Sequence, residues 1–263
     1  MGYRGRVQFD VLVPALIGAL FAAMLLLLEL GRRIGMRRRA HDPDGAGSGV
    51  AAVEGAIFGL LGLLLAFTFS GAAARFDARR LKIVDEANAL GTAYLRLDLL
   101  PTETQPALRD AFRRYVDSRL AVYAKLPDIA AARAELATST ALQRELWTRT
   151  VTVVRAPGGQ SAQVLLPALN EAFALANVRT MQAQLHPPTM IFVLLFGLAL
   201  ASALLAGHGM AAGKARSWIH FLGYAAVLSI AIYVIVDLEF PRVGLIRIDA
   251  FDQAIRDVRA GMQ

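Results

Sequence analysis

Four apolar runs of roughly twenty residues each, almost free of charge, restrict this chain more than any other feature of its sequence. They read Val11 to Leu30 (VLVPALIGALFAAMLLLLEL), Val50 to Ala74, Pro188 to Gly207 and Trp218 to Val236. At about 1.5 Å per residue, a helix of that length covers the roughly 30 Å hydrocarbon layer of a bilayer. Backbone amides find no water there, so helix is the conformation such runs must take. The expected fold is all-α: a polytopic membrane protein with four transmembrane helices, in two pairs that flank a helical bundle. The segments divide as a tail at 1–10, helices 1 and 2 with an Arg-rich loop at 11–74, and an extramembrane domain at 75–187. Helices 3 and 4 occupy 188–236, and a second tail 237–263. The first run has Arg4 and Arg6 ahead of it but Glu29, Arg32 and Arg33 behind it, not a small-residue cleavage site, which marks a retained anchor. His186-Pro187-Pro188 interrupts any helix arriving from the central domain, and Pro188 can open the third run. Trp218 stands at an interface position.

The charge pattern agrees with a bilayer as partner. Lys and Arg outnumber Asp and Glu by 28 to 21, giving a net charge of +7, and the mean hydropathy is +0.47. A basic chain can bind nucleic acid, but here the arginines crowd the ends of apolar blocks, where anionic headgroups lie. Nucleic acid is therefore not an expected partner. Arg32, Arg33, Arg37, Arg38 and Arg39 follow the first run and read as a topology and headgroup signal, joined by Lys214 and Arg216 on the same side. Arg75, Arg79, Arg80 and Lys82 follow the second run on the opposite side, with Arg242 and Arg247. Short-loop density leans towards the central domain lying outside. The sequence has no Cys, so disulfides, thiolate metal sites and cysteine nucleophiles are excluded.

The central segment reads as helices. Leu81, Val84, Leu90, Tyr94 and Leu97 recur at spacings near three and four across Arg75 to Leu99, predicting one apolar face before the stop at Leu100-Pro101. Thr104 to Leu126 carries Leu108, Phe112, Tyr115, Val116, Leu120 and Tyr123. A third stretch runs from Pro127-Asp128 to about Arg155, Pro157-Gly158-Gly159 makes a turn, and a fourth covers Ser161 to Leu185. The acidic residues alternate with Arg, which predicts solvated faces and ion pairs. Beyond the fourth run, Pro241 and Gly244 break the chain. A short amphipathic helix from about Asp249 to Val258 then presents Phe251, Ile255 and Val258 on one face, to dock on the central domain rather than on the membrane surface.

No enzyme motif is present: the four His show no HExxH spacing, and no phosphate-binding Gly loop or GxSxG elbow occurs. No catalytic residue, metal site or cofactor is expected. The second run holds the functional signal. Gly55, Gly59, Gly62, Ala66 and Ser70 recur every three or four residues, a stripe of small side chains suited to close helix packing. Phe58, Leu65 and Phe69 share another face. These side chains either face lipid and neighbouring helices, or line a path between symmetric copies as a hydrophobic constriction, with Glu54 at its mouth or merely snorkelling to the interface.

Residues 59 to 101, including GLLLAFTFSGAAARFDARR and KIVDEANALGTAYLRLDLLP, resemble the signature of the bacterial bestrophin-like domain family, and so does DLEFPRVGLIRID at 237–249. Bestrophins proper are pentameric anion channels with two membrane helices on each side of a cytosolic helical region. The resemblance therefore implies a homo-oligomer, anion conduction, a multi-pass place in a bacterial inner membrane and a cytosolic central domain. That last implication opposes the lean from the short loops, and the acidic calcium clasp of animal bestrophins is not evident. A sensor or scaffold is the competing reading; no output domain follows the fourth run, so it would act through a partner.

Overall fold

The structure, a computed structural model, describes residues 2–41, 50–156, 163–213 and 217–262. Lys214, Arg216, the Gly-rich end of the first loop and the Pro157-Gly158-Gly159 turn lie outside the described residues. The helices are α1 (Gly2–His41), α2 (Val50–Leu95), α3 (Gln105–Ala124), α4 (Ile129–Arg155), α5 (Leu165–Gln182), α6 (Thr189–Gly209), α7 (Trp218–Glu239) and α8 (Gln253–Ala260). No strand occurs among the described residues. Four helices are long and apolar enough to cross a membrane. The all-helical, four-span architecture expected from the sequence is thus the one found.

The chain divides into two compact units, one of residues 10–74 and 186–239, the other of residues 1–9, 75–185 and 240–263. In the membrane unit, α1 and α6 meet at glycines. A Cβ added at Gly31 would collide with the Leu204 carbonyl, and one at Gly207 with the Leu28 carbonyl. A Cβ at Gly35 would lie 2.6 Å from that of Ala211. Contacts this close exist only without side chains, and they bring backbone against backbone where apolar burial supplies little net drive. Tyr224 of α7 donates to Ser202 of α6 at 2.6 Å, a polar tie inside the apolar layer.

In the second unit, the C-terminal half of α2 packs with α3, α4, α5 and the tail. Ile83, Leu90, Leu97, Leu108, Phe112, Tyr115, Leu146, Leu165, Leu169 and Ile255 form its core. Edge-to-face rings run through it, Tyr94 to Phe112 at 5.7 Å, Phe112 to Tyr115 at 6.2 Å and Tyr115 to Phe173 at 5.5 Å. Asp128 caps α4 by accepting from the Ala131 amide at 3.0 Å. Arg79 donates to the Gln182 and Leu185 carbonyls at 3.3 and 2.7 Å, satisfying groups that the end of α5 leaves open. The tail docks through Ile255, which is fully buried, and through Arg259, which pairs with Asp117 at 2.7 Å.

The α2 helix runs unbroken through 46 residues, about 69 Å, so the second membrane run continues into the helix that follows it. Two readings change. First, Gly31 to His41 is helical rather than loop, because Arg and Met are good helix formers and nothing in GRRIGMRRRAH stops the helix. Second, Leu81 and Val84 point outward, at 58% and 36% exposure. The buried seam is Ile83, Glu86, Ala87, Leu90, Ala93, Tyr94 and Leu97. Reading the stripe from large apolar residues alone displaced it, since the true seam contains small residues and one carboxylate.

Candidate functional site

The membrane half of α2 has two distinct faces. Leu61 and Ala72 are buried, with Glu54, Ile57, Phe58, Leu64, Leu65 and Thr68 half-buried beside them. These positions recur at three and four residues and turn towards the rest of the membrane unit. The opposite face is open. Gly55, Gly59, Gly62, Ala66 and Ser70 are exposed, and a Cβ added at Gly55, Gly59 or Gly62 would meet nothing within 4 Å. The small-residue stripe therefore packs on nothing among the described residues, in contrast to Gly31, Gly35 and Gly207. Leu60, Leu63, Phe67 and Phe69 flank it, exposed by 51%, 53%, 68% and 49%. Of the four residues singled out along a path, Phe58 and Leu65 are half-buried, Phe69 stands open and Glu54 is largely covered.

Glu54 is covered because it has a partner. Its Oε1 lies 3.2 Å from Nδ1 of His208, in the last turn of α6. Sequence reading noted Glu54 and missed His208. The signal was available: His208 is the single ionisable residue between Thr189 and Gly209. The arginines after the first run divide. Arg32 is buried at 8% exposure, Arg33 pairs with Glu29 at 2.8 Å, and Arg37, Arg38 and Arg39 are exposed.

A second cluster of charge lies in the other unit. Glu86 of α2 accepts from Arg119 Nε at 2.7 Å and from Arg179 Nη1 at 2.7 Å. Arg179 Nη2 donates to Asp252 at 2.6 Å, and Arg242 donates to Asp252 at 3.0 Å and to Asp249 at 2.8 Å. The three guanidinium groups surround the Tyr123 ring at 5.4, 3.8 and 4.9 Å from its centroid. Burial pushes the Glu86 pKa up, but Arg119 and Arg179 outweigh it and hold the carboxyl below its ordinary value. Pairing with Glu86 likewise overcomes burial at Arg119 and keeps its guanidinium charged. Arg247 joins at the edge by donating to Asp249 at 2.6 Å, and every carboxylate of the cluster is held by at least one guanidinium. Its geometry is that of a clamp between α2, α3, α5 and the tail. No metal-binding group of His, Asp and Glu occurs among the described residues.

The family model for the bestrophin-like domain matches residues 18–250. The chain belongs to the bestrophin-like family. Bestrophin folds also surround it among solved structures. A variant of a bacterial bestrophin homologue from Klebsiella pneumoniae superposes with a TM-score of 0.68 at 16% identity, over 94% of this chain and 97% of that one. A second variant of that homologue gives 0.65 at 16% identity, over 91% and 97%. A crystal structure described as a membrane protein gives 0.63 at 16% identity, over 90% and 96%. At that identity the likeness is one of fold. No curated protein matches the sequence.

Proposed function

We propose that this bestrophin-like chain is a subunit of a homo-oligomeric anion channel of the bacterial cell membrane, with α2 lining the path. The observation that carries the reading is the open face of α2, where a stripe of small residues and the half-exposed Phe69 ring stand open among the described residues. Bare small-residue faces in lipid gain by packing against another helix, and a closed ring of copies provides that helix at every subunit. Phe69, on that open face, then forms the apolar constriction, whereas Phe58, Leu65 and Glu54 turn towards their own membrane unit. The basic residues Arg37, Arg38 and Arg39 supply a positive field that favours anions.

Purified protein in planar bilayers should carry a current that reverses near the chloride equilibrium potential. Phe69→Ala, which widens an apolar constriction, should raise the conductance. Absence of current from correctly folded, lipid-reconstituted protein contradicts the reading. A stable complex with a signalling partner, recovered without any current, favours the sensor or scaffold instead.

A further inference from the structure

We infer that Arg32 of α1 forms a binding site for a phosphate-type oxyanion, carried by an anionic lipid headgroup or free in solution. The inference goes beyond the channel reading and stands whether or not the chain conducts. Four arginines are buried among the described residues: Arg32, Arg79, Arg119 and Arg179. Three of them find partners inside the protein. Arg119 and Arg179 each donate to Glu86 at 2.7 Å, and Arg79 donates to the Gln182 and Leu185 carbonyls at 3.3 and 2.7 Å. Arg32, at 8% exposure, makes no hydrogen bond and no ion pair with any described residue. A buried cation without a counter-charge is costly to hold, and a guanidinium does not escape the cost by losing its proton as a buried lysine can.

Close packing of α1 on α6 explains the burial. Leu28, Gly31 and Gly35 share the seam that meets α6 at Leu204, Gly207 and Ala211, and Arg32 lies beside it, one turn after Leu28. The carboxylates of this region have other partners. Glu29, one turn before Arg32, is held by Arg33 at 2.8 Å, and Glu54 of α2 lies 3.2 Å from His208. Arg32 is two residues past the end of the first apolar run, the level at which lipid phosphates lie. Arg37, Arg38 and Arg39, exposed further along α1, make the local potential positive. A guanidinium offers parallel N–H donors that fit two oxygens of one phosphate, so the arrangement selects an oxyanion. Arg32 is not among the side chains whose polar atoms are both sealed and unpartnered, so an edge of the group remains open to such a ligand.

The test uses the full-length protein, delipidated in a neutral detergent, with its unfolding temperature as the readout. The probes are phosphatidylglycerol, diacylglycerol with the same chains, and inorganic phosphate against sodium chloride of equal ionic strength. Phosphatidylglycerol should raise the wild-type unfolding temperature by a few degrees, because a ligand of the folded state stabilises it by mass action. Diacylglycerol should not. Arg32→Gln should lose the shift, Arg38→Gln should keep it, and Arg32→Lys, which keeps the charge without the fork, should keep part. A structural role alone would move the starting temperature and not the shift. The same shift from inorganic phosphate assigns the site to a free ion, and a shift from phosphatidylglycerol alone assigns it to lipid. A shift that survives Arg32→Gln, an equal one from diacylglycerol, or none from either phosphate source overturns the proposal. Should Arg32→Gln not fold, Arg32→Lys carries the comparison: a reduced shift supports the site and an undiminished one refutes it.

Discussion

At the scale of single residues, Glu86 shows most clearly how the extramembrane unit is held. A fully buried carboxylate is costly alone, and it survives here because two arginines saturate it. Glu86→Gln leaves Arg119 buried without a carboxylate, and such uncompensated charges typically cost about 3–5 kcal/mol. Thermal unfolding in detergent should register that loss, whereas Arg114→Ala, whose partners sit at the surface, should cost less than about 1 kcal/mol. The depressed pKa of Glu86 also sets a pH dependence. Its folded value lies below the ordinary 4.5, so its stabilisation is present above that range and disappears as pH falls through the folded value. Wild type should lose stability on acidification below about pH 4.5, and Glu86→Gln should follow a flatter profile there. Sequence reading assigned these charges to solvated faces and ion pairs; the pairs form, but Glu86, Arg119 and Arg179 are buried rather than solvated. Arg79 and Arg242 it took for membrane-topology signals, yet Arg79 caps α5 and Arg242 holds Asp249 and Asp252. Spacing reveals which charges lie in an apolar seam, as Glu86 does between Ile83 and Leu90 and Arg119 between Tyr115 and Tyr123. It does not reveal which distant partner neutralises them.

Among the elements, the four spans were legible because a bilayer makes length and apolarity sufficient signals. The tail helix was legible in part: Ile255 lies on its inner face as expected, but Phe251 is exposed and the α-helix begins only at Gln253. Which glycines bring helices together was not. The stripe Gly55, Gly59 and Gly62 and the pair Gly31 and Gly35 have the same small-residue spacing, but only the second pair meets a backbone in the chain. Spacing specifies a flat helix face, and the partner that fills it depends on tertiary packing. Gly207→Ala should therefore lower the unfolding temperature in detergent sharply, because its new methyl meets the Leu28 carbonyl and α1 and α6 must separate. Gly59→Ala, with open space at its Cβ, should leave the same transition of the monomer nearly unmoved.

The whole molecule is a bestrophin-like fold whose α2 leaves one long face without cover. The sequence held two opposed indications of sidedness, and a single labelling experiment resolves them. Ala134 is exposed on α4 and the chain has no Cys, so Ala134→Cys gives one reactive thiol. The family resemblance predicts that a membrane-impermeant maleimide leaves it unlabelled in intact cells and labels it after lysis. Assembly is the deeper question, because the proposed path along α2 requires more than one copy of the chain. Imaging single particles of the protein in lipid discs decides it most directly: a closed ring of subunits, with the Gly55, Gly59 and Gly62 face of α2 turned inward or against a neighbouring subunit, is the predicted result, and particles that remain strictly monomeric would contradict it.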